Sequence, residues 1–197
     1  AGNIKLVEGL ILSAPDNRLF LAQAAEGLCA YGFLFLEDDL EAIAPSDQER
    51  RAPLVTRISG FYRRCQAYAV RHVEVRRPGF GRTLGGPLAA LEAALRDLDR
   101  EDVPGLFWVG FALAANLNLN RDDVAAIADL GRIESIFNRV LALDELYFYA
   151  GARMTLGALQ ASRSRMVGGD PEQGRREIER ALQLTSGKFL MHKVMFA

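Results

Sequence analysis

The chain has 197 residues, a formal net charge of -1, 50% hydrophobic residues and 25% charged residues. This length allows one domain to bury a sizeable core, and the charge gives no overall attraction to nucleic acid or to anionic membranes. Nucleic-acid binding is therefore not expected. Proline is scarce, at 7 residues, and apolar residues recur at helical spacing, so the sequence predicts an all-α fold.

The N-terminal part predicts two helices. The apolar segment 4–12 is too short to span a bilayer, and residues 15–16 end the first helix and begin the second. The second helix carries an apolar stripe, which consists of Phe20, Ala24, Leu28, Tyr31 and Phe35. The acidic run 37–41 is expected to end this helix as a solvated loop. Cation binding is the alternative, although no glycine-bearing calcium loop surrounds the run.

The next helix is predicted to pack on the second one through a heptad seam. The seam consists of Leu54, Ile58, Phe61, Cys65, Tyr68 and His72. Arginines occupy its other faces and continue past its end, at Arg57, Arg63, Arg64, Arg71, Arg76 and Arg77. A solvated face that balances the acidic run is the preferred interpretation, and an anion or partner surface is the alternative.

The two cysteines, Cys29 and Cys65, both fall within apolar helical patterns. A thiol in such a position behaves as a small hydrophobic side chain, so two buried free thiols are predicted. A disulfide or a metal site is the alternative, and either would need closer pairing or additional ligands.

A glycine-rich segment, residues 79–87, follows the arginines. Its third glycine comes one residue too late for a dinucleotide fingerprint, and no Gly-Lys-Ser/Thr motif is present. The segment is therefore predicted to be a structural loop rather than a phosphate-binding loop. A short helix is predicted over residues 88–98.

The apolar run 106–115 contains the only tryptophan, Trp108. Ten residues cannot cross a membrane, so a central buried helix is predicted. The run is followed by three amides, Asn116, Asn118 and Asn120. Such amides cap helices, which is the preferred interpretation, or they hydrogen-bond a ligand at the mouth of an apolar cavity.

A ligand or partner site is predicted around this central helix. Its apolar wall would be aromatic, and amides and one guanidinium group would supply the polar contacts that orient a ligand. The candidate residues are Trp108, Phe111, Asn116, Asn118, Tyr147, Tyr149 and Arg153. Plain core packing is the alternative, and it is the more common role of aromatic residues around one buried helix.

The C-terminal third predicts a pair of helices with the spacing of a tetratricopeptide repeat. The small-large-small residues of the second helix are Gly174, Ile178 and Ala181, opposite Leu156 and Gly157 of the first. An earlier region, predicted as helical over residues 122–143, has the same spacing at Ile133, Phe137 and Val140. The expected architecture is one domain, residues 1–197, of stacked antiparallel helix pairs with degenerate tetratricopeptide-like repeats, trimmed at both ends.

No catalytic pattern stands out. The two histidines, His72 and His192, stand alone, and the sequence has neither a zinc-type H-E-x-x-H motif nor a G-x-S-x-G nucleophile elbow. The prediction is a protein that is not an enzyme and that has no catalytic residue, metal or cofactor.

Several stretches of the sequence resemble the T component of TRAP transporters. They begin at Val103 (VPGLFWVGFA), Asn118 (NLNRDD), Leu143 (LDELYFYAGA), Leu156 (LGAL), Gly168 (GGDPE) and Gly187 (GKFLM). The resemblance is most specific over residues 103–197. It is looser in the N-terminal half, where Glu8-Gly-Leu, Ala25-Glu-Gly and Tyr31-Gly-Phe fit the family.

This resemblance implies a periplasmic protein of paired helices that forms a homotrimer and associates with the solute-binding P component of a TRAP system. The expected function is a scaffold that also helps to handle an apolar or organic-acid solute. Family members usually carry a lipid anchor, which is expected on a segment before residue 1 because no lipidated cysteine begins this sequence. The alternative is a generic tetratricopeptide-like lipoprotein of envelope assembly with no solute role.

Overall fold

A computed structural model describes residues 2–120, 124–163 and 169–189, and every regular element in these ranges is helical. The α-helices are α1 (Gly2–Ser13), α2 (Arg18–Tyr31), α3 (Glu37–Glu41), α4 (Gln48–Glu74), α5 (Phe80–Leu84), α6 (Leu88–Arg96), α7 (Val103–Leu119), α8 (Val124–Ala128), α9 (Leu130–Leu143), α10 (Tyr147–Ser162) and α11 (Pro171–Leu184). The all-α prediction is confirmed. His192 and residues 122–123, where the helical region 122–143 is predicted to begin, lie outside the described residues.

Polar residues fix where several helices begin. The side chain of Asn17 accepts a hydrogen bond from the backbone N–H of Phe20, and Asp47 accepts one in the same way at the start of α4. Asp170 accepts two backbone hydrogen bonds at the start of α11, where Pro171 occupies the first helical position. Each cap satisfies backbone donors that have no partner inside the helix.

Helix α7 is the centre of the fold, as predicted. It packs against α2, α4, α9 and α10. Its residues 105–110 are all buried, because an almost uninterrupted apolar sequence can be covered on every side. Pro104 stands in its first turn, where the missing N–H costs nothing.

A disulfide joins α2 to α4, so the prediction of two free thiols is wrong. Cys29 and Cys65 are bonded, with their Cα atoms 5.6 Å apart, and neither is exposed to solvent. Both residues lie on the apolar faces through which the two helices cross. The pairing depends on the axial position of that crossing, which periodicity alone does not fix.

The second predicted helix does not end at the acidic run. A π-helical turn, Gly32–Leu36, follows α2 directly and continues into α3. Leu36 and Leu40 are buried, so the apolar face extends past the acidic residues, of which Asp38, Asp39 and Glu41 are exposed. Glu37 is partly buried and accepts a hydrogen bond from the Tyr62 hydroxyl. The expectation of a solvated loop at residues 37–41 is therefore wrong. Continuity of the buried face decides where this helix ends.

The predicted seam of α4 is correct at three of its positions. Ile58, Cys65 and His72 are buried, whereas Leu54, Phe61 and Tyr68 are only partly buried. Tyr62 and Ala69 take the inner positions instead. A straight helix has 3.6 residues per turn, so over 27 residues its buried face drifts away from a strict heptad.

The arginines at the end of α4 do not balance the acidic run. Arg76 and Arg77, together with Arg18, form ion pairs with Asp102, at 3.0, 3.2 and 3.1 Å. Arg76 and Arg77, which directly follow α4, also pair with Asp99. This charge cluster connects the start of α2, the end of α4 and the start of α7. The solvated-face interpretation is therefore wrong for Arg76 and Arg77.

The glycine-rich segment contains the short helix α5 instead of an irregular loop. Phe80 and Leu84 are four residues apart and both buried, which favours one helical turn there. Glu74 accepts the backbone N–H of Gly81, and Arg132 donates to the carbonyls of Leu84 and Gly86. These backbone polar groups of the segment are therefore hydrogen-bonded within the protein.

Helices α10 and α11 cross at two glycines, as the small-large-small spacing predicts. A Cβ on Gly174 would lie 2.6 Å from the carbonyl oxygen of Gly157 and 2.8 Å from the backbone nitrogen of Ala161. Ile178 and Ala181 are buried beside this crossing. Gly157 faces Ile178, and in the pair of α7 and α9 Gly110 faces Phe137 in the same way.

Because of this close crossing, replacing glycine by alanine should change the free energy of unfolding in opposite directions at two helical positions. Gly174→Ala should lower the free energy of unfolding by about 1–3 kcal/mol, because its Cβ would overlap with backbone atoms that cannot move aside alone. Gly9→Ala is the control, since nothing lies within 4 Å of a Cβ there. It should stabilise the protein by up to about 1 kcal/mol through helix propensity. Urea denaturation measures both, and equal effects would contradict the close crossing.

The burial of His72 makes the stability of the folded protein sensitive to acid. Its side chain is buried, its Nδ1 has no hydrogen-bond partner among the described residues, and a Cβ on Gly105 would lie 2.5 Å from that atom. Burial, followed by the positive charge of Arg18, lowers the pKa of His72 to about 4. The unfolded chain, with a histidine pKa near 6.5, therefore takes up the proton first.

This order of protonation means that acid lowers the free energy of unfolding. Stability is fully present above pH 6.5 and falls as the pH drops from 6.5 to 4, by about 2–3 kcal/mol at roughly 1.4 kcal/mol per pKa unit. Glu8 and Glu145 have lowered pKa values, so their losses come below pH 4.5. Urea midpoints at pH 7.5 and 5 should differ in the wild type and differ less in His72→Gln. An equal difference in both proteins would exclude His72 as the cause.

Candidate functional site

Six aromatic side chains meet beside the central helix, and we call them the aromatic cluster. Its members are Phe33, Phe107, Trp108, Phe111, Tyr147 and Phe148. Phe107 lies 5.3 Å from both Tyr147 and Phe148, and Trp108 lies 4.8 Å from Phe148, between ring centroids. Most pairs are edge-to-face, the arrangement favoured by the ring quadrupoles.

An unusual backbone segment places Phe148 in this cluster. Phe148, Tyr149 and Ala150 have φ angles of 46°, 58° and 59°, a left-handed turn near the start of α10. For residues with a Cβ this conformation costs roughly 1–2 kcal/mol each. The turn directs Phe148 toward Trp108, while Tyr149 stacks on Phe189 with ring centroids 4.4 Å apart. Strain of this kind is a reason to suspect a ligand site.

The π-helical turn places the remaining member of the cluster. Phe33 lies in that turn and meets Phe111 edge-to-face at 5.7 Å. Gly32 allows the turn to approach α4, since a Cβ there would lie 3.0 Å from the ring of Tyr62. The next two residues, Leu34 and Phe35, are exposed. π-helical turns of this type are frequent at functional sites.

Phe33, Phe111, Tyr147 and Phe148 are only partly buried, whereas Phe107 and Trp108 are buried. The accessible faces of the four, which come from the π-helical turn, α7 and the start of α10, therefore form one partly open aromatic surface. We call this the aromatic cleft.

Few polar groups adjoin the aromatic cleft. The indole N–H of Trp108 is buried and has no hydrogen-bond partner within the described part of the chain. Burial, and then the negative charge of Glu26, raise the pKa of Tyr147 to about 12. Glu26 is exposed on α2, close enough to Tyr147 for its charge to act on the hydroxyl, and partial loss of water contact raises the pKa of its carboxyl group. Such a combination of apolar walls and sparse polar groups is typical of a small-molecule site.

The family comparison supplies the assignment. The family model of the TRAP transporter T-component matches residues 1–197. The chain belongs to this family. No curated protein matches the sequence. T-components are accessory parts of TRAP transporters and are not a known enzyme family, so the protein is a transporter accessory component.

Three of the site residues predicted from sequence come together in this T-component. Trp108, Phe111 and Tyr147 all belong to the aromatic cluster. Tyr149 lies next to the cluster in sequence but faces outward, with 56% of its surface exposed. Its proposed contribution to a ligand site stays a prediction, and its position suits contact with a partner better.

The predicted polar residues lie elsewhere. The side-chain amide of Asn120 donates to the backbone carbonyl and the Oδ1 of Asn116, which satisfies the end of α7. Asn118 is exposed near the same end. At 1.5 Å per residue, the two predicted asparagines lie about 8–10 Å beyond Phe111 along the helix axis. Their ligand role is untested.

Arg153 holds two helices together. Its Nε donates to Glu145 at 2.7 Å, and its Nη1 pairs with Glu177 of α11. The guanidinium group is thus already engaged with two carboxylates. Removing it would loosen the pair of α10 and α11 in addition to any effect on binding.

Sequence reasoning did not identify Glu26 as a site residue. Between Leu19 and Leu36 it is the only charged residue, a signal that could have marked it. Phe33, Phe107 and Phe148 were also missed, because their convergence depends on the π-helical turn and the left-handed turn. Within the described residues, no group of three or more histidine, cysteine or acidic residues could hold a metal ion.

One described stretch, Arg18–Glu41, is long and apolar enough to cross a membrane by length and composition. The core helix of a protein outside the membrane meets the same criterion. In this fold α2, which makes up most of the stretch, packs against α4 and α7. Thirty-nine per cent of the most apolar part is buried inside the protein.

Proposed function

We propose that this T-component is a periplasmic scaffold that docks the solute-binding P component of its TRAP transporter and receives an apolar part of the solute in the aromatic cleft. The observation that carries the proposal is a partly open aromatic cleft with exposed apolar residues on both sides. A core that served packing alone would not need such an opening or the strained turn that forms one wall.

The docking surface is formed by exposed apolar side chains next to the cleft walls. Leu34 and Phe35 follow Phe33 in the π-helical turn, and Leu146 and Tyr149 flank the Tyr147–Phe148 pair. Phe35 and Leu146 are each 58% exposed. Apolar and aromatic residues of this kind form the centres of protein interfaces. Docking here would leave the cleft open toward the ligand site of the partner.

The cleft favours an apolar solute over an organic acid. An organic acid needs a positive side chain, and the sequence candidate for that role, Arg153, is paired with Glu145 and Glu177. The carboxylate close to Tyr147, Glu26, would repel an anion. Of the two solute classes expected from the resemblance, the apolar solute is therefore the better supported.

The disulfide supports an oxidising location. Disulfides form and persist in compartments such as the bacterial periplasm and are rare in the cytosol. The bond between Cys29 and Cys65 therefore agrees with the periplasmic location that the family suggests. A lipid anchor on the mature protein is part of the same proposal.

Assembly and fold type complete the proposal. A closed homotrimer is proposed on the family resemblance, with more than about 1,000 Å² of total area buried at each stable interface. The pairs α7–α9 and α10–α11, each with a glycine facing a large residue, are proposed to be degenerate tetratricopeptide-like repeats.

Analytical ultracentrifugation of the full mature chain at micromolar concentration tests the trimer.

Calorimetric titration against the solute-binding P component of the same TRAP system tests the docking surface. Leu146→Ser should weaken binding at least about tenfold, because a well-packed interface residue contributes more than roughly 1.4 kcal/mol. Leu12→Ser is the matched control, since Leu12 is 86% exposed on α1 and should leave the affinity unchanged. Absence of binding by the wild type would contradict the docking function and favour a general role in envelope assembly.

A further inference from the structure

We propose that the aromatic cleft binds a cationic group, the substituted ammonium of an apolar organic solute, with Glu26 as its counter-charge. This inference rests on the proposed solute role of the cleft and specifies the chemistry of the ligand. Its three supports are the position of Glu26, the rings around it and the way the positive side chains of the fold are used.

Glu26 is an exposed carboxylate on α2. It makes no hydrogen bond and no ion pair with the described residues, although the fold contains many arginine–carboxylate pairs. It lies close enough to the Tyr147 hydroxyl for their charges to interact. A cation held on the neighbouring rings would form an ion pair with this carboxylate, of the modest strength of a surface pair.

The helix geometry directs Glu26 to the same side as an aromatic wall. Glu26 and Phe33 are seven residues apart, two helical turns, so they lie on one face of the continuous helix. That face looks toward α7, because Phe33 contacts Phe111 there. The carboxylate and the rings therefore border one space.

The rings supply the second half of a cation site. The faces of aromatic rings carry partial negative charge and attract ammonium groups, most strongly where water is excluded. Four rings of the cleft are partly accessible, and they belong to Phe33, Phe111, Tyr147 and Phe148. An aromatic wall with one carboxylate is the arrangement that recognises quaternary and methylated ammonium groups. A metal ion is less suited, since rings offer it no ligand atoms.

The arginines closest in sequence to Glu26 and to Tyr147 are already engaged in ion pairs. Arg18 of α2 pairs with Asp102, and Arg153 of α10 pairs with two glutamates. Neither is left to neutralise Glu26 or to attract an anion.

The test is calorimetric titration of the folded full chain with three probes of nearly equal shape. They are choline, the neutral 3,3-dimethyl-1-butanol and the anionic 3,3-dimethylbutanoate. Choline should bind at least tenfold more tightly than the other two, and it should change the fluorescence of Trp108, the only tryptophan. A cation preference with a change at Trp108 places the site in the aromatic cleft.

Two variants assign the preference to Glu26. Glu26→Gln should reduce choline affinity at least tenfold and leave the weak binding of the neutral alcohol unchanged. Glu41→Gln is the matched control, an exposed glutamate at the end of α3, and should bind choline as the wild type does. Circular dichroism confirms that both variants are folded.

Several outcomes would overturn the inference. Equal affinity for the three probes, tighter binding of the anion, or choline binding unaffected by Glu26→Gln would each exclude a cation site at Glu26. Equal binding with a Trp108 signal would still leave the cleft as an apolar solute site, so the proposed function would survive. No binding of any probe would overturn the cation site, while docking of the P component would be judged separately by its own titration.

Discussion

Replacing both cysteines by alanine should lower the free energy of unfolding by about 4 kcal/mol. The bond joins residues 36 positions apart, and the entropy of closing a loop of that length in the unfolded chain gives this magnitude. Cys65 also contacts the backbone carbonyl of Trp108 at 3.9 Å, so the environment of the tryptophan should change as well. Urea denaturation followed by Trp108 fluorescence measures both effects.

Reduction provides the control for the cysteine variant. A reducing agent should destabilise the wild type by a similar amount and leave the Cys29→Ala/Cys65→Ala protein unchanged, because that variant has no bond to break. A loss below about 1 kcal/mol in both comparisons would contradict a disulfide that links α2 to α4.

Replacing Asp102 by alanine should cost about 3–5 kcal/mol, the range for breaking a buried ion pair from one side. Asp102 is 0% exposed and lies between Arg18, Arg76 and Arg77. Its Oδ2 also accepts the backbone N–H of Asp99. The substitution therefore leaves three guanidinium groups with less compensation and one backbone donor without its partner.

An exposed aspartate makes the matched control for Asp102. Asp39→Ala should change the free energy of unfolding by less than about 0.5 kcal/mol, since its side chain faces solvent on α3. Chemical denaturation at pH 7.5 compares the two variants. Similar small losses in both would show that the charge cluster contributes little to stability.

Much of the fold follows from helical periodicity and small-residue spacing. The central helix α7 was predictable because ten successive apolar residues allow no exposed face. The crossing of α10 and α11 was predictable because Gly157 and Gly174 let two backbones meet. Both features depend on residues close together in the sequence.

The errors concern features that depend on where separate helices meet. The pairing of Cys29 with Cys65 requires the axial position of the crossing between α2 and α4. The partners of Arg76 and Arg77 lie 22 to 26 residues away, in a turn whose position depends on the packing of α6 and α7. Charge counting in the sequence paired them with the wrong carboxylates.

Part of the candidate site could be predicted from the sequence. Trp108 and Phe111 follow from the apolar run, and Tyr147 from the aromatic triplet that begins α10. The triplet alone does not show that Phe148 turns inward and Tyr149 outward, because helical periodicity does not anticipate a left-handed turn. Glu26 becomes informative only when the rings beside it are known.

Hydrogen–deuterium exchange of the T-component with and without the P component tests the central claim most directly, since it locates the contact on this chain. Docking beside the aromatic cleft predicts slower exchange in two segments, residues 30–36 and 145–150, and no change in α1. Slower exchange confined to α1 or α9, with both cleft segments unchanged, would contradict the account.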